Sequence, residues 1–182
     1  STLFPYTTLF RSIGIVPDPN TNLLMRSAGA REGNLSARGQ QSTVAANKYV
    51  AIEKVPTSVV AGLVINTKHP PYDDVRVRRA IAMSIDRNAI SKVITLGAYL
   101  VTDMIQPQFS WAYDPSIKEP GFDPAGADAL LDADGWKRGA SGIRAKDGQP
   151  LSMIYVQFPE TASGVRIATF AQAELRSRGF DV

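Results

Sequence analysis

Apolar residues recur at two different spacings along this chain, and each spacing predicts a different kind of element. Between Ser58 and Ile65 they are nearly continuous and rich in valine, which is typical of a strand covered on both faces. Between Val75 and Ile85 they fall three and four residues apart, which is the spacing of one helix face. Alternating strand and helix signals predict an α/β fold with a mixed or parallel sheet.

Aspartates precede the predicted helices in the middle of the chain, where a carboxylate can accept the first free backbone N–H groups. Asp74 begins a helix, and Asp86 begins a second one that ends at Gly97. The first helix is predicted to turn one apolar face inward, and the second carries further apolar residues. These positions are Val77, Ala80, Ile81, Ser84 and Ile85 in the first helix, and Ile90, Val93 and Ile94 in the second.

The last third of the chain is predicted to contain two further helices, with a hairpin or loop and a strand between them. Asp123-Pro124 predicts a helix start and Gly135 its end, with Ala127, Leu130 and Leu131 facing inward. Glycines punctuate a predicted hairpin or loop over 138–148, and Leu151–Gln157 follows as a strand. A final helix is predicted over Val165–Arg178, ended by Gly179, with Ile167, Phe170, Ala171 and Leu175 inside.

The first part of the chain gives weaker signals. A short strand over Ile13–Val16, a helix beginning at Leu23 and a strand over Tyr49–Val55 are predicted around a polar stretch. Residues 1–12, STLFPYTTLFRS, resemble the in-frame translation of a sequencing adapter and are not expected to belong to the fold. The chain lacks an initiating methionine and stops where a strand is expected, so we expect both ends to be cut.

Composition narrows the classes of function. The 182 residues are 44% hydrophobic and 20% charged, as in ordinary globular proteins. The net charge of +3 is spread without a polybasic run, which argues against nucleic-acid binding. Cysteine is absent, which excludes disulfides and thiolate metal ligands. No apolar run reaches the roughly 18 residues of a membrane-spanning helix.

Groups suited to catalysis are sparse. The single histidine, His69, precedes two prolines, and no zinc-protease, nucleophile-elbow or phosphate-loop motif occurs. Helix capping accounts for Asp74, and solvent exposure is expected for the pair Asp132 and Asp134. We therefore predict no catalytic residue, no cofactor and no transition-metal site, because one histidine without cysteine supplies few suitable ligands.

Arginines crowd the helix that follows Asp74. Arg76, Arg78 and Arg79 can be imagined as an anion site. A solvated helix face beside acidic neighbours is the more favoured interpretation.

One run of residues carries a specific resemblance. The run from Asn66 to Ile90, NTKHPPYDDVRVRRAIAMSIDRNAI, together with Gly97, resembles the signature region of family-five extracellular solute-binding proteins. These are the receptors of dipeptide, oligopeptide and nickel importers. Three further segments agree in order and spacing, and the resemblance covers nearly all of Ile13–Val182. They are Pro17–Thr21, Phe122–Trp136 and Gly142–Leu151.

The resemblance implies a two-lobed fold of the type II periplasmic-binding-protein kind, with mixed sheets flanked by helices. Residues 13–67 would form part of a first lobe with a crossing strand, and 68–182 part of a second lobe. Asn66 and Thr67 would lie at the crossing. Lobes of this kind close around a ligand, and the closed form is what a membrane permease senses.

The function implied is the substrate-binding component of an ABC importer that captures peptides or similar small solutes. It would be a monomer, not an enzyme, periplasmic or extracellular, with a lipid anchor as one option. Binding of nickel or a metal chelate is an alternative within the family. A non-transport role, as a chemoreceptor partner or peptide holder, is a third hypothesis.

Two places are predicted to contact the ligand. The first is the end of the predicted strand and the following helix N-terminus, with Gln157, Phe158 and Glu160. In some dipeptide-type members of the family that this chain resembles, a basic residue near this position holds the carboxylate of the ligand. Here Phe158 stands in its place, which argues against a ligand carboxylate there. The second is the aromatic loop over 103–120, with Trp111 and Tyr113; the alternative is a loop pinned to its own lobe by aromatic burial.

Overall fold

The computed structural model describes residues 60–97, 99–157 and 162–182. All of them fall in the second of the two units into which the chain divides, Thr57–Val182. The adapter-like segment, the predicted elements before Pro56 and most of the predicted first lobe lie outside the described residues. The division into lobes at 67 and 68 therefore stays a prediction.

The described residues form helices around a small sheet. The helices are α1 (Val75–Ser84), α2 (Arg87–Ala89), α3 (Pro124–Ala133) and α4 (Ala162–Ser177), and α2 continues as a π-helix, Ile90–Ile94. The strands are β1 (Lys137–Arg138), β2 (Arg144–Lys146) and β3 (Gln149–Pro150), paired antiparallel in that order. No helix in these residues is long and apolar enough to cross a membrane.

Helix α1 confirms the predicted cap and inward face. The Asp74 carboxylate accepts a hydrogen bond from the Arg76 backbone N–H at 2.7 Å. Four of the five predicted inward positions are buried, and Ile85 packs half-buried against the core. The buried four are Val77, Ala80, Ile81 and Ser84.

The cap predicted for the second helix is confirmed in α2, but the helix continues as a π-helix. Asp86 accepts from the Ala89 N–H at 2.8 Å, and the Thr95 N–H then reaches the Ile90 carbonyl, five residues back, at 3.1 Å. Leu96 and Gly97 follow with positive φ angles of 52° and 71°. The Gly97 N–H bonds to the Ser91 carbonyl, so the helix ends at the predicted glycine.

Helix α3 begins at the predicted Asp123-Pro124 pair. The Asp123 carboxylate accepts from the Gly126 N–H at 2.9 Å, and its own N–H donates to the Met83 carbonyl at 2.9 Å. This second bond ties the start of α3 to α1. Gly135 ends the helix with a φ of 93°, as predicted.

The hairpin predicted over 138–148 folds into the three-stranded sheet. Lys137 pairs with Ala145, and Ala145 pairs with Pro150 on its other side. Pro150 has no N–H to donate and lies in the short strand at the edge of this sheet, where that loss is tolerated. The Arg144 backbone N–H donates to a partner outside the sheet, the Gly179 carbonyl, at 2.8 Å.

Two predicted strands differ from the structure. Within the part of the chain that the structure describes, Leu151–Gln157 pairs only at its start, through a parallel bridge between Ser152 and Asp181, with the Met153 N–H bonded to the Asp181 carbonyl at 2.7 Å. Residues 60–65 have no ladder partner among the described residues. Val64 is 96% exposed, so the expected cover on both faces is absent there. Apolar composition favours burial, but only a neighbouring strand can complete a ladder.

Helix α4 begins slightly before the predicted position and ends at the predicted glycine. Ala171 and Leu175 are buried, while Ile167 and Phe170 are half-buried. Gly179 has a φ of 91°, and a Cβ there would lie 2.8 Å from Cγ of Arg144. Close packing of the helix end against β2 therefore requires glycine.

The core joins the helices, the hairpin and the chain beside the parallel bridge. Its buried members are Val77, Ala80, Ile81, Ala127, Leu131, Trp136, Leu151, Leu175 and Phe180. Each fully buried leucine or phenylalanine contributes about 1.5–3 kcal/mol to folding. The order of helices, hairpin and a parallel β–α–β connection agrees with the predicted α/β class.

Candidate functional site

A groove opens where the chain after β3 runs past the first half of α4. Its volume is about 180 Å³. Two residues from 151–157 and four from α4 line it. They are Tyr155 and Gln157 on one side, and Val165, Ala168, Thr169 and Gln172 on the other.

The backbone explains why a groove lies here. Ser152 and Asp181 form a parallel bridge, and α4 connects the two, so this is a parallel β–α–β connection. Gln157 is therefore at the carboxyl end of the first extended segment. Ligands of open α/β folds bind beyond the carboxyl ends of their strands, which makes this groove the candidate site.

The described lining of the groove is polar but uncharged. The Thr169 hydroxyl donates to the Val165 carbonyl at 3.0 Å, and the Gln172 amide donates to the Val182 carbonyl at 3.1 Å. Burial raises the pKa of the Tyr155 phenol, so this group stays neutral at physiological pH. Such a lining suits hydrogen bonding to a solute and offers no acid, base or nucleophile.

Of the residues predicted at the first ligand place, one lines the groove and two lie outside the described part of the chain. Gln157 lines the groove, which places it where the first prediction expected a ligand. Phe158 and Glu160 lie outside the described residues. On the α4 side the prediction included only the helix N-terminus, where Val165 lines the groove. Thr169 and Gln172 were not predicted, because they face the groove through helix periodicity and carry no motif.

The aromatic loop does not reach this groove. Trp111 is 99% exposed, Phe109 is 60% exposed and Tyr113 is half-buried. The alternative of a loop pinned by aromatic burial is wrong for Trp111 and Phe109, because their side chains face solvent. The role of Trp111 and Tyr113 in ligand binding stays a prediction.

A single arginine holds the two ends of the loop. Arg87 donates to the Thr102 carbonyl at 3.1 Å and to the Pro120 carbonyl at 3.0 Å. This fixes where the loop leaves and rejoins the fold without burying its aromatic side chains.

Asn66 and Thr67, the predicted crossing residues, are exposed. The Asn66 side-chain oxygen accepts from the Lys68 N–H at 3.1 Å, and its carbonyl accepts from the His69 N–H at 3.5 Å. Asn66 therefore caps local backbone, as expected for a turn residue. Its position between two lobes stays a prediction.

The arginines of α1 have partners within the protein. Arg76 bonds to the Asp74 carboxylate at 2.6 Å and holds its pKa at about 2, well below the ordinary value. Arg78 donates to the carbonyls of Tyr72 and Asp73 at 2.8 and 2.9 Å. Arg79 faces solvent. These contacts favour the solvated helix face over an anion site.

The explanation given for Asp132 and Asp134 is wrong for one of them. Asp134 is buried, and its carboxylate accepts from the Trp136 indole and from the Lys146 ammonium, each at 3.1 Å. Burial of a carboxylate is tolerated here because two cations and an indole satisfy it, the second cation being Arg76 at 2.5 Å. Asp132 is half-exposed and pairs with Arg144 at 2.7 Å.

Arg144 is a buried residue that the sequence analysis missed. Its guanidinium bonds to Asp128 and Asp132 and to the carbonyls of Trp136 and Arg178, at 2.7 to 2.9 Å. Asp128 and Asp132 are four residues apart on α3, so they share one face of the helix. That spacing is the signal that would have predicted a cation between them. The network joins elements to one another.

Metal ligation has no support in the described part of the chain. There, no three histidine or acidic side chains come close enough together to hold an ion.

Residues 12–182 match the family model described as bacterial extracellular solute-binding proteins, family 5 middle. The dipeptide-binding protein of Escherichia coli is 29% identical over 128 residues, 70% of this chain. The nickel-binding periplasmic protein of the same organism is 28% identical over 183 aligned positions, 94% of this chain. The crystal structure of NikA from Brucella suis with Fe(III)-EDTA superposes with a TM-score of 0.76 at 27% identity and covers 93% of the chain.

The chain spans only part of these relatives. The match covers 23% of the E. coli dipeptide-binding protein and 34% of the nickel-binding protein. In the Brucella structure it covers 35% of that chain.

Proposed function

The chain belongs to the bacterial extracellular solute-binding proteins of family 5, and we propose that the whole protein captures peptides or similar small solutes for an ABC importer. The family match over residues 12–182 is the observation that carries this proposal, because it includes every described element. The matched relatives are binding proteins by name, and among them is a dipeptide-binding protein.

The geometry of the groove supports binding over catalysis. Its described lining offers amide, hydroxyl and phenol groups, which bind a solute reversibly through hydrogen bonds. A reaction would need a converging base, acid or nucleophile, and the carboxylates of Asp128 and Asp134 are instead paired with arginine and lysine. The proposed protein is therefore not an enzyme and needs no cofactor.

The proposed mechanism is closure of two lobes around the solute. Residues 13–67 and 68–182 would contribute to different lobes, with Asn66 and Thr67 at the crossing. The closed form would then dock on the permease. We further propose that the protein works as a monomer outside the cytoplasmic membrane, free or held by a lipid anchor.

A second candidate is binding of nickel or a metal chelate. The relative that supports it is the nickel-binding periplasmic protein, which aligns with 94% of this chain. Under this alternative the same two lobes would close around a metal complex. Ligands to a bare ion would have to come from outside the described residues.

Thermal unfolding of the complete open reading frame's product distinguishes the two candidates. Di- and tripeptides are added in one series, and nickel chloride with or without L-histidine in another. A peptide at about one hundred times its Kd stabilises the folded form by about 2.7 kcal/mol, which raises the Tm by several degrees.

A rise in Tm with peptides and none with nickel supports the proposal. Stabilisation by nickel or its histidine complex alone overturns the peptide assignment. The non-transport hypothesis is checked separately, because genes for a permease and an ATPase beside this reading frame support import.

A further inference from the structure

A second cavity, of about 380 Å³, lies at the other end of α4 and shares no lining residue with the groove. The β1–β2 hairpin, the last turn of α4 and the chain just after it line this space, which we call the hairpin cavity. Cavities of this size accommodate small organic molecules. The lining residues are Arg138, Ser141, Gly142, Ile143, Arg176, Ser177, Phe180 and Asp181.

Two guanidinium groups from different elements line the hairpin cavity, and hydrogen bonds hold both in place. Arg138 of β1 donates to the carbonyls of Gly142 at 3.1 Å and Ser177 at 3.2 Å. Arg176 of α4 donates through Nε to the Val182 carbonyl at 3.0 Å. These bonds use only part of the five N–H donors that each guanidinium carries. Because a carbonyl has no net charge, the bonds orient the two arginines without neutralising them.

The carboxylates near the hairpin cavity balance the arginines only in part. Asp128 lies 3.5 Å from Arg138, but it makes shorter bonds to Arg144 and Arg178, at 2.7 and 2.8 Å. Three arginines therefore share this carboxylate. Asp181 is the acidic residue of the described lining, against two arginines. The cavity thus presents more positive than negative charge.

A hydroxyl and apolar side chains complete the lining. The Ser141 hydroxyl accepts from the Ile143 N–H at 3.4 Å, and its own hydrogen can rotate toward the cavity. Phe180, which is 1% exposed, and the half-buried Ile143 supply apolar surface beside the charged groups. Arginine binds carboxylate and phosphate oxygens through paired N–H groups. A molecule that carries an oxyanion on a small apolar body matches this combination.

We propose that the hairpin cavity binds a small molecule through a carboxylate or phosphate group held between Arg138 and Arg176. Two like charges at one cavity repel each other, and an anion between them replaces this repulsion with attraction. The site goes beyond the proposed capture of solutes and does not depend on it, because none of its lining residues belongs to the groove.

Three molecules with the same ring and different charge test the proposal on the product of the complete open reading frame. Benzoate and phenyl phosphate carry an oxyanion, and benzamide is the neutral match for benzoate. Ligand-observed NMR at pH 7 and constant ionic strength gives Kd for each. We expect benzoate or phenyl phosphate to bind at least about tenfold more tightly than benzamide. If neither does, the proposal is wrong.

Charge-removing variants assign the binding to this cavity. Arg176→Gln keeps a polar amide but removes one of the two cations, so we expect Kd of the bound oxyanion to rise at least about fivefold. Arg138→Gln makes the same test from the β1 side. Arg79→Gln is the matched control, because Arg79 is an exposed arginine of α1 outside the lining. Its screened charge should change Kd by less than about twofold.

The outcomes separate this site from solute capture. Weaker oxyanion binding in Arg176→Gln, with peptide binding unchanged, supports a second site. If both cavity variants show a cooperative thermal transition and keep the parent Kd, the oxyanion binds elsewhere and the proposal is overturned. An equal loss in Arg79→Gln also overturns it, because overall charge would then be the cause. If no peptide binds to the parent protein, the proposed function has failed, while the oxyanion result still decides this inference.

Discussion

At the scale of single residues, Arg144 joins three parts of the fold through one buried guanidinium. Its bonds reach two carboxylates on α3, the Trp136 carbonyl beside β1 and the Arg178 carbonyl just after α4. Planar geometry and several donors make arginine suited to such a position, and lysine could not satisfy all four acceptors. The network is a structural feature, and it fixes the hairpin against the helices that carry the groove.

Removing this guanidinium should destabilise the chain strongly. Arg144→Ala leaves the buried Trp136 carbonyl without its hydrogen bond, whereas Asp128 keeps Arg178 and Asp132 is half-exposed. An unsatisfied buried acceptor of this kind costs about 1–3 kcal/mol. Urea unfolding of the 182-residue chain, followed by circular dichroism, measures the loss. Arg79→Ala is the control, because Arg79 faces solvent and should change stability by less than about 0.5 kcal/mol. Similar effects of the two substitutions would show that the network contributes little.

Glu174 gives the fold a pH dependence of predictable sign. Its carboxylate accepts from the Asp86 N–H at 2.8 Å, and burial, with the Asp86 charge, raises its pKa despite that bond and Arg178. Because the folded pKa is above the unfolded one, folding takes up a proton between the two values. The charged group therefore costs stability above its folded pKa, and this cost disappears as the pH falls through that value.

The variant Glu174→Gln tests this sign. The amide keeps an acceptor for Asp86 but carries no charge, so we expect the variant to gain stability relative to the parent at pH 7. The gain should be less than about 1 kcal/mol, because the group is partly solvated. It should shrink between pH 7 and pH 4, measured by urea unfolding at each pH. A difference that stays constant with pH would contradict the assignment.

At the scale of elements, the sequence predicts what local chemistry determines. The starts at Asp74, Asp86 and Asp123 were all predicted, because a cap needs only the first turn of its own helix. The strand over 151–157 was predicted too long, because pairing depends on a distant segment, and among the described residues the parallel bridge is confined to Ser152 and Asp181. The π-helix after α2 gave no signal, because apolar spacing does not distinguish five-residue from four-residue hydrogen bonding.

Only part of the lining of the groove coincides with residues predicted to contact a ligand, for the same reason. Gln157 follows a strand signal, so the carboxyl end of that segment could be singled out. Thr169 and Gln172 lie on a helix with ordinary amphipathic spacing, and only the folded chain brings them opposite Tyr155. Trp111 was singled out as an aromatic residue that would either be buried or contact the ligand, and its side chain is fully exposed in the described structure.

The end of α4 is where an element depends most on a single glycine. Gly179→Ala should destabilise the chain by more than about 2 kcal/mol, because it adds a clash to an unfavourable left-handed conformation. Gly142→Ala is the matched comparison: its φ is also positive, at 84°, but nothing lies within 4 Å of the added Cβ. It should cost only the conformational part, about 1–2 kcal/mol.

Urea unfolding of both variants isolates the packing contribution as the difference between them. The structure requires Gly179→Ala to be the worse of the two, because its Cβ would lie 2.8 Å from Arg144 Cγ and 3.0 Å from the Gly142 carbonyl oxygen. Equal losses would contradict close packing of the helix end against β2.

At the scale of the whole molecule, the family match covers far more of the chain than the residues that line the groove. The family match spans residues 12–182, whereas the groove uses only the end of one extended segment and half a helix. A groove of about 180 Å³ is small for a peptide. A two-lobed receptor would bury the remainder of its solute against the other lobe, which is how closure and affinity become linked.

We therefore expect the 182-residue chain to bind peptides weakly and the product of the complete open reading frame to bind them well. The chain spans 23% of the dipeptide-binding relative, so most of a closing cleft would come from elsewhere. Calorimetry with the same tripeptides on both proteins measures the contrast, which we expect to exceed about a hundredfold in Kd. Circular dichroism and a cooperative thermal transition must first show that the shorter chain is folded. Micromolar binding by the folded 182-residue chain would contradict a two-lobed site, because one lobe would then suffice.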